Sequence, residues 1–385
     1  MRALRWRWTG LLLLPLLVSC SSAQRDALEA FRGSPLERQA RAVLEERLGP
    51  YASEIGQARR QVESMRPLFE ALGRVVEAVW GEDDAEVASE RRYVKYGNDY
   101  QARVIVDCEQ GWLRVETVAE EAPLDKLETA IVMALLTPRN LGLEDIFSDA
   151  EPDYGEEPFL YRQVLDHDDE PVRYQWRAER FARHLLATAV ERDSYRGRTR
   201  HAVQVGLVAN HLNLRQLQFA DAVLGASRRY GIDPALIYAV IEVESAFNPF
   251  AISPASAYGL MQVVPATAGR DVFERVRGEP GEPTRDQLFD PDFNIDVGTA
   301  YLYLLDRQYL ARIDDRVSRG HAKIAAYNGG PGSTLRAFHS DQGRALSRIN
   351  GMTPAQVYRH LVSAHPFGET RRYLEKVRAV EPRYR

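Results

Sequence analysis

The residues best suited to chemistry follow Tyr230-Gly231-Ile232-Asp233-Pro234-Ala235. Asp233 is a good helix cap and Pro234 suits the first helical position, so a helix should begin there. Within it Ile237, Val240, Ile241 and Glu244 fall at i, i+3, i+4 and i+7, so Glu244 continues an apolar stripe toward the interior, whereas Glu242 points to another face. A carboxyl group on an apolar face must be paired, neutralised or functional. Burial would raise its pKa and make it a proton donor near neutral pH. Two readings stand side by side: a structural glutamate satisfied by an arginine, and a general acid. Ser245-Ala246-Phe247-Asn248-Pro249 ends the helix. A polar loop follows, carrying Ser253, Gly259-Leu260-Met261-Gln262 and Pro265-Ala266-Thr267.

The elements that must position these groups divide the chain. Its 385 residues exceed one ordinary core and predict two domains plus attachments. From residue 216 to 385 the pattern is almost wholly helical, which predicts a mainly α domain. Residues 61–215 read as an α+β domain. There a helical spacing runs from Val62 to Trp80, ended by Glu82-Asp83-Asp84 as a solvated turn. Alternation in 102–107 and 112–118, across Glu109-Gln110-Gly111, predicts an antiparallel hairpin. A helix opens at Pro123 and closes before Pro138. Tyr161–Leu165 and Val172–Trp176 read as a second hairpin around the acidic tip Asp166-His167-Asp168-Asp169-Glu170, and His201–Ala209 as a further strand. The tip lacks the glycine and terminal glutamate of a calcium loop, so no metal is expected there, and no cofactor anywhere.

The start of the chain is of another kind. Arg2, Arg5 and Arg7 precede an apolar run, Leu11 to Val18, and then Ser19-Cys20. Residues 1–19 therefore read as a secretory signal, since the run is shorter than the ~20 residues a membrane span needs. Residues 20–60 read as a tether merging into helix. Removing the signal deletes three arginines and no acid, taking the net charge from −5 to −8. That argues against nucleic acid as a partner, because phosphate binding needs clustered cations. Cys20 and Cys108 are the two cysteines. Cys108 is expected to be a buried small apolar residue.

Several fragments now become recognisable in order: Glu244-Ser245, Asn248-Pro249, Ser253, Gly259-Leu260-Met261-Gln262, Pro265-Ala266-Thr267-Ala268, Phe289-Asp290-Pro291, Gly298-Thr299-Ala300-Tyr301-Leu302 and Ala326-Tyr327-Asn328-Gly329-Gly330-Pro331-Gly332. Together they resemble the lysozyme-like domain of the soluble lytic transglycosylase family. Lys95-Tyr96, Glu157-Pro158-Phe159-Leu160-Tyr161, Ala268-Gly269-Arg270-Asp271-Val272-Phe273 and Ser363-Ala364-His365-Pro366 are similar to its membrane-bound C-type branch. The resemblance implies an α+β N-terminal domain followed by a mainly α, lysozyme-like catalytic domain. It implies Glu244 as the single catalytic acid and Ser253, Met261, Gln262, Tyr327, Asn328 and Tyr373 as substrate-binding residues. On their own pattern Tyr327 and Tyr373 also fit core positions, Gln262 a helix cap and Ser253 a turn before Pro254. Two departures are Ser256, where the family often has glycine, and Val264, where it often has methionine.

The implied substrate is peptidoglycan, cleaved without water. Leu17-Val18-Ser19-Cys20 resembles a lipobox, which implies lipidation of Cys20, a membrane partner through that anchor, and a place on the periplasmic side of the outer membrane. Cell-wall machinery proteins are possible further partners. A hydrolytic lysozyme on the same fold and a non-catalytic peptidoglycan-binding lipoprotein remain as alternatives.

Overall fold

A computed structural model describes residues 75–81, 84–141, 152–154 and 157–385. The expected signal, Cys20, the tether and most of the 62–80 helix lie outside the described residues; positions 75–80 are helical.

Strands β1 (Arg92–Gly97), β2 (Ala102–Asp107) and β3 (Trp112–Thr117) form an antiparallel meander. The predicted hairpin is β2–β3, with Val104 opposite Val115. Helix α1 (Pro123–Leu136) lays Leu127, Ala130, Ile131 and Ala134 in one core with Val104, Val106, Leu113 and Val115. Helix α2 (Gln175–Thr188), β4 (Glu191–Tyr195) and β5 (Arg198–Gly206) complete a sheet of order β1-β2-β3-β5-β4.

All six residues of β2 are buried, including the polar alternates. The reason is a second small core, in which Val76 and Trp80 cover Val94, Tyr96 and Ile105 on the opposite face. Arg103 stacks over the Trp80 ring at 4.0 Å and pairs with buried Glu116 at 2.6 Å. A buried charge is tolerable only when so partnered.

Two expectations need correction. The expected 161–176 hairpin is a set of turns closed by one bridge, Leu165 to Pro171, and Trp176 already belongs to α2. Its tip is a turn as expected, held because the Asp166 carboxylate accepts from the amides of Asp168 and Glu170 and pairs with Arg177 at 2.7 Å. The last strand begins at Arg198 and ends at Gly206, and β4 precedes it; β4 is polar and largely exposed, so nothing in its composition announced it.

After β5 the chain is helical: α3 (His211–Gln218), α4 (Ala220–Tyr230), α5 (Pro234–Ser245), α6 (Pro291–Leu304), α7 (Arg316–Gly329), α8 (Pro331–Arg336), α9 (Gln342–Asn350), α10 (Pro354–Ala364) and α11 (Gly368–Val380). The two regions share one continuous core. Phe250 packs at a tilt against Tyr93, ring centres 4.7 Å apart, and meets Phe159 edge-on at 5.3 Å. Arg215 of α3 is fully buried at the same seam, donating to Gln163 Oε1 and to the carbonyls of Cys108 and Ala246. Cys108 is itself buried, as expected.

A seam built on an aromatic wedge predicts that Phe250→Ala destabilises the protein by about 3–5 kcal/mol. Urea unfolding followed by far-UV and near-UV signals checks this, and both signals should shift together because the core is shared.

Candidate active site

Helix α5 starts as its residues dictate: Asp233 accepts from the Ala235 amide at 2.9 Å, and Pro234 occupies the first turn. Residues 235–241 are all buried, so the helix is enclosed on every side rather than by a single stripe. It stops at Ala246 and Phe247, both at positive φ (50° and 60°). Glu242 faces away and pairs with Arg383 at 2.8 Å and Tyr384 at 2.5 Å. Glu244 opens into a cleft of about 1240 Å³. That exceeds the roughly 300–1,000 Å³ of pockets for drug-sized ligands and suits an extended polymer.

The loop opposite Glu244 is held by specific contacts. Ser245 Oγ donates to the Leu260 carbonyl at 2.8 Å, tying the helix end to Gly259-Leu260-Met261-Gln262. Asn294 of α6 donates to the carbonyls of Tyr258 and Leu288 and accepts from the Met261 amide at 2.8 Å. Gly259 has φ +71°, and a Cβ there would stand 2.4 Å from Asn294 Nδ2 and from the Leu288 carbonyl. Glycine is therefore required at that turn. Gln262 is also left-handed, at φ 48°, with its amide nitrogen donating to the carbonyls of Ala251 and Gly259. Its Oε1 is buried with no hydrogen-bond partner among the described residues. An unsatisfied buried acceptor at a cleft wall is suited to a donor from a ligand. Gln262 does not cap the following helix, whose N-cap is Val264. Ser256 adopts φ 57°, a conformation that glycine takes without cost and serine does not; nothing in the structure explains the serine.

The other expected residues distribute as follows. Ser253, Tyr327, Asn328 and Tyr373 line the cleft with Glu244 and Gln262. The Ser253 hydroxyl accepts from the Ala257 amide at 3.1 Å, so it shapes the turn as well. Tyr327 donates to the Met261 carbonyl at 2.8 Å. Asn328 accepts from Thr370 Oγ1 at 2.7 Å. Met261 departs from expectation: its side chain is fully buried, packed where a Cβ on Gly298 would meet its sulfur at 2.6 Å. Only its backbone reaches the site, through the Tyr327 bond.

The electrostatics centre on one group. Burial pushes the Glu244 carboxyl from 4.5 up to about 8; the Tyr373 hydroxyl partly offsets this, and the charges of Glu369 and Glu90 add to it. Tyr373 Oη lies against Glu244 but off the geometry of a well-formed hydrogen bond. Burial, reinforced by Glu244, also raises Tyr327 and Tyr373 well above the usual tyrosine value. Both therefore stay protonated and act as donors or neutral walls. Such a cleft can hold a proton on Glu244 at neutral pH and release it to a basic oxygen.

Several cleft residues were not foreseen. Glu369 and Lys376 come from α11, and Asp271 accepts from the Tyr309 hydroxyl at 2.7 Å. Glu90 and Arg91 come from the loop before β1. Thus Glu244 is not the one carboxyl in the cleft, although it is the group lifted to about 8. The Ala268-Gly269-Arg270-Asp271 fragment could have signalled Asp271; nothing local marks Glu90.

Comparison with known proteins agrees with this layout. Residues 58–218 match the N-terminal domain of membrane-bound lytic murein transglycosylase C, and residues 221–350 match the transglycosylase SLT domain. The chain is 41% identical to a Klebsiella pneumoniae membrane-bound lytic murein transglycosylase C, over 97% of both chains. It is 45% identical to the one from Sodalis glossinidius, over 80% of this chain and 87% of that one. Among solved structures, the 70 kDa soluble lytic transglycosylase of Escherichia coli aligns with 46% of this chain and 25% of its own length, at 31% identity and a TM-score of 0.35. An α+β region followed by a helical lysozyme-like region, with matches of this extent, means that the chain belongs to the membrane-bound lytic murein transglycosylase C family.

Proposed function

We propose that this chain cleaves the β-1,4 bond between N-acetylmuramic acid and N-acetylglucosamine in peptidoglycan without water, leaving 1,6-anhydromuramic ends. The observation that carries the proposal is Glu244: a carboxyl lining the cleft at the end of a buried helix, where desolvation pushes its pKa up to about 8. Protonated Glu244 gives its proton to the glycosidic oxygen, and the bond to C1 of the muramic residue breaks. The substrate's own acetamido group supports the positive charge that develops. The muramic C6 hydroxyl then attacks C1, and the Glu244 carboxylate takes the hydroxyl proton. The proton count closes, and Glu244 returns to its starting state. Intramolecular attack has the advantage of an effective molarity that reaches about 10⁵ M or more in well-oriented cases. One carboxyl therefore serves both steps, where hydrolysing glycosidases use a pair.

In this reading Ser253, Gln262 and Asn328 bind sugar substituents; their position on the cleft wall and the unpaired Gln262 Oε1 support it. Tyr327 and Tyr373 wall the acid on two sides. We further propose lipidation of Cys20, which would hold the enzyme at the periplasmic face of the outer membrane; among the described residues no helix is long and apolar enough to cross a membrane.

Four outcomes are expected. Glu244→Gln should lower turnover on purified sacculi by about 10³-fold or more, as loss of an essential proton donor does. Mass spectrometry of the parent's products should find the anhydro form, about 18 Da lighter than the hydrolytic product. A hydrated reducing end would assign a lysozyme-type hydrolase instead, and binding with no soluble product a non-catalytic lipoprotein.

The pH profile should lose activity as pH rises through about 8, because the acid must be protonated at the start of the cycle. A profile whose alkaline limb lies near 5 would contradict the assignment. Cys20→Ala should move the protein from the membrane to the soluble fraction and abolish incorporation of labelled palmitate, with activity on soluble glycan strands unchanged.

A further inference from the structure

The α+β region reaches into the cleft through a short segment, Ser89-Glu90-Arg91, immediately before β1. Arg91 Nη2 donates to the Val243 carbonyl at 3.0 Å, and Nη1 pairs with Glu109. Asn248 Nδ2 donates back to the carbonyls of Ser89 (3.4 Å) and Glu90 (3.3 Å), while its Oδ1 accepts from the Phe250 amide. Val243 lies in the last turn of α5, where carbonyls have no amide further along the helix to pair with. The backbone has already swung away at Ala246 and Phe247. Arg91 thus supplies a donor that α5 cannot supply itself, and its cation suits the negative end of the helix dipole.

We propose that residues 89–91 are a working part of the catalytic centre: Arg91 holds the end of α5 and thereby positions Glu244, and Glu90 supplies the negative charge that faces it. This rests on the reading of Glu244 as the acid. It assigns the α+β region a direct part in catalysis through two positioning residues, neither of which needs to touch the sugar.

The charged and titratable groups around Glu244 define what this arrangement does. Glu90 and Arg91 face it from the segment before β1, Glu369 and Tyr373 from α11, and Tyr327 from α7. Burial is the largest influence on Glu244; Glu90 and Glu369 favour its proton, and Arg91 opposes it. Glu90 is itself partly buried, and desolvation raises its own carboxyl. The proposed cycle needs Glu244 to lose a proton and then to regain one. An adjacent anion favours the resting acid, and an adjacent cation stabilises the carboxylate between the two steps. Both charges lie on one dipeptide, anchored to the helix that carries the acid.

The test uses the full-length protein acting on purified sacculi, with kcat and KM measured across pH. Glu90→Gln should move the alkaline limb of kcat to lower pH, since it removes a like charge. Arg91→Met should move that limb to higher pH and lower kcat near pH 6 about tenfold with KM little changed, as loosened positioning of a catalytic group does. Arg91→Lys should recover part of the loss, because an ammonium can donate to the Val243 carbonyl without reproducing the guanidinium fork.

If Glu90→Gln and Arg91→Lys keep the parent's melting temperature, kcat and limb position, the segment is packing and the inference fails. Activity lost by Glu90→Gln at every pH would also overturn it, since that outcome makes Glu90 a participant in the chemistry. Should Arg91→Met not fold, the other two variants decide. Glu244→Gln serves as the reference: if it remains active, the assignment of the acid fails, whereas an inactive Glu244→Gln beside unshifted Glu90 and Arg91 variants sinks only the present inference.

Discussion

The structure is organised around withholding water from one carboxyl group. A solvated glutamate is ionised at neutral pH and has no proton to give; Glu244 keeps one because its surroundings cannot stabilise the charge. That condition requires a helix packed around its length and neutral hydroxyls beside the acid, with the charges of Glu90 and Glu369 adding to the effect and Arg91 opposing it. The burial of residues 235–241 of α5 on every side supplies the first, with Glu244 itself half-buried at the cleft. The two tyrosines supply the second, since their hydroxyls stay protonated for the same reason that Glu244 does.

The loop facing the acid illustrates how a short motif is explained by its contacts. Gly259 is there because Asn294 and the Leu288 carbonyl leave no space for a side chain. The Met261 side chain fills the hollow above Gly298, and its backbone carbonyl faces Tyr327. Gln262 is left-handed, at a conformational cost of about 1–3 kcal/mol for residues in sparsely populated regions. Strain of that kind persists where surrounding bonds over-determine it, and two carbonyls gripping the Gln262 amide do so here. The result is a buried side-chain oxygen on a cleft-lining residue with no hydrogen-bond partner among the described residues.

The seam between the sheet and the helices follows a different logic. Phe250 and Phe159 close it with apolar area, while Arg215 crosses it as a buried cation whose Nε and Nη1 donate to Gln163 and to two carbonyls. Burial pushes that guanidinium below its ordinary value, while Cys108 and the Asp107 carboxylate favour its charged form. Asn248 and Arg91 then carry the seam to the edge of the cleft. Because the seam and the helix end share these bonds, the orientation of the α+β region and the placement of Glu244 are coupled.

Amino-acid pattern alone established the start of α5, the β2–β3 hairpin, and the order of an α+β region before a helical one. These are readable because caps, prolines and apolar periodicity act within a few residues of themselves. The same pattern could not place β4, whose polar residues are ordered by pairing with β5 rather than by their own burial. It also misread 161–176, where Gln163, buried against Arg215, ends any strand alternation. Only the tertiary structure decided that Glu90 and Arg91 share a cleft with Glu244, that Met261 lies beneath it, and that β2 is covered on both faces. Each depends on contacts between distant segments, as with Arg91 and Val243, 152 positions apart. Periodicity reports that a face is buried; it carries no information about which partner buries it.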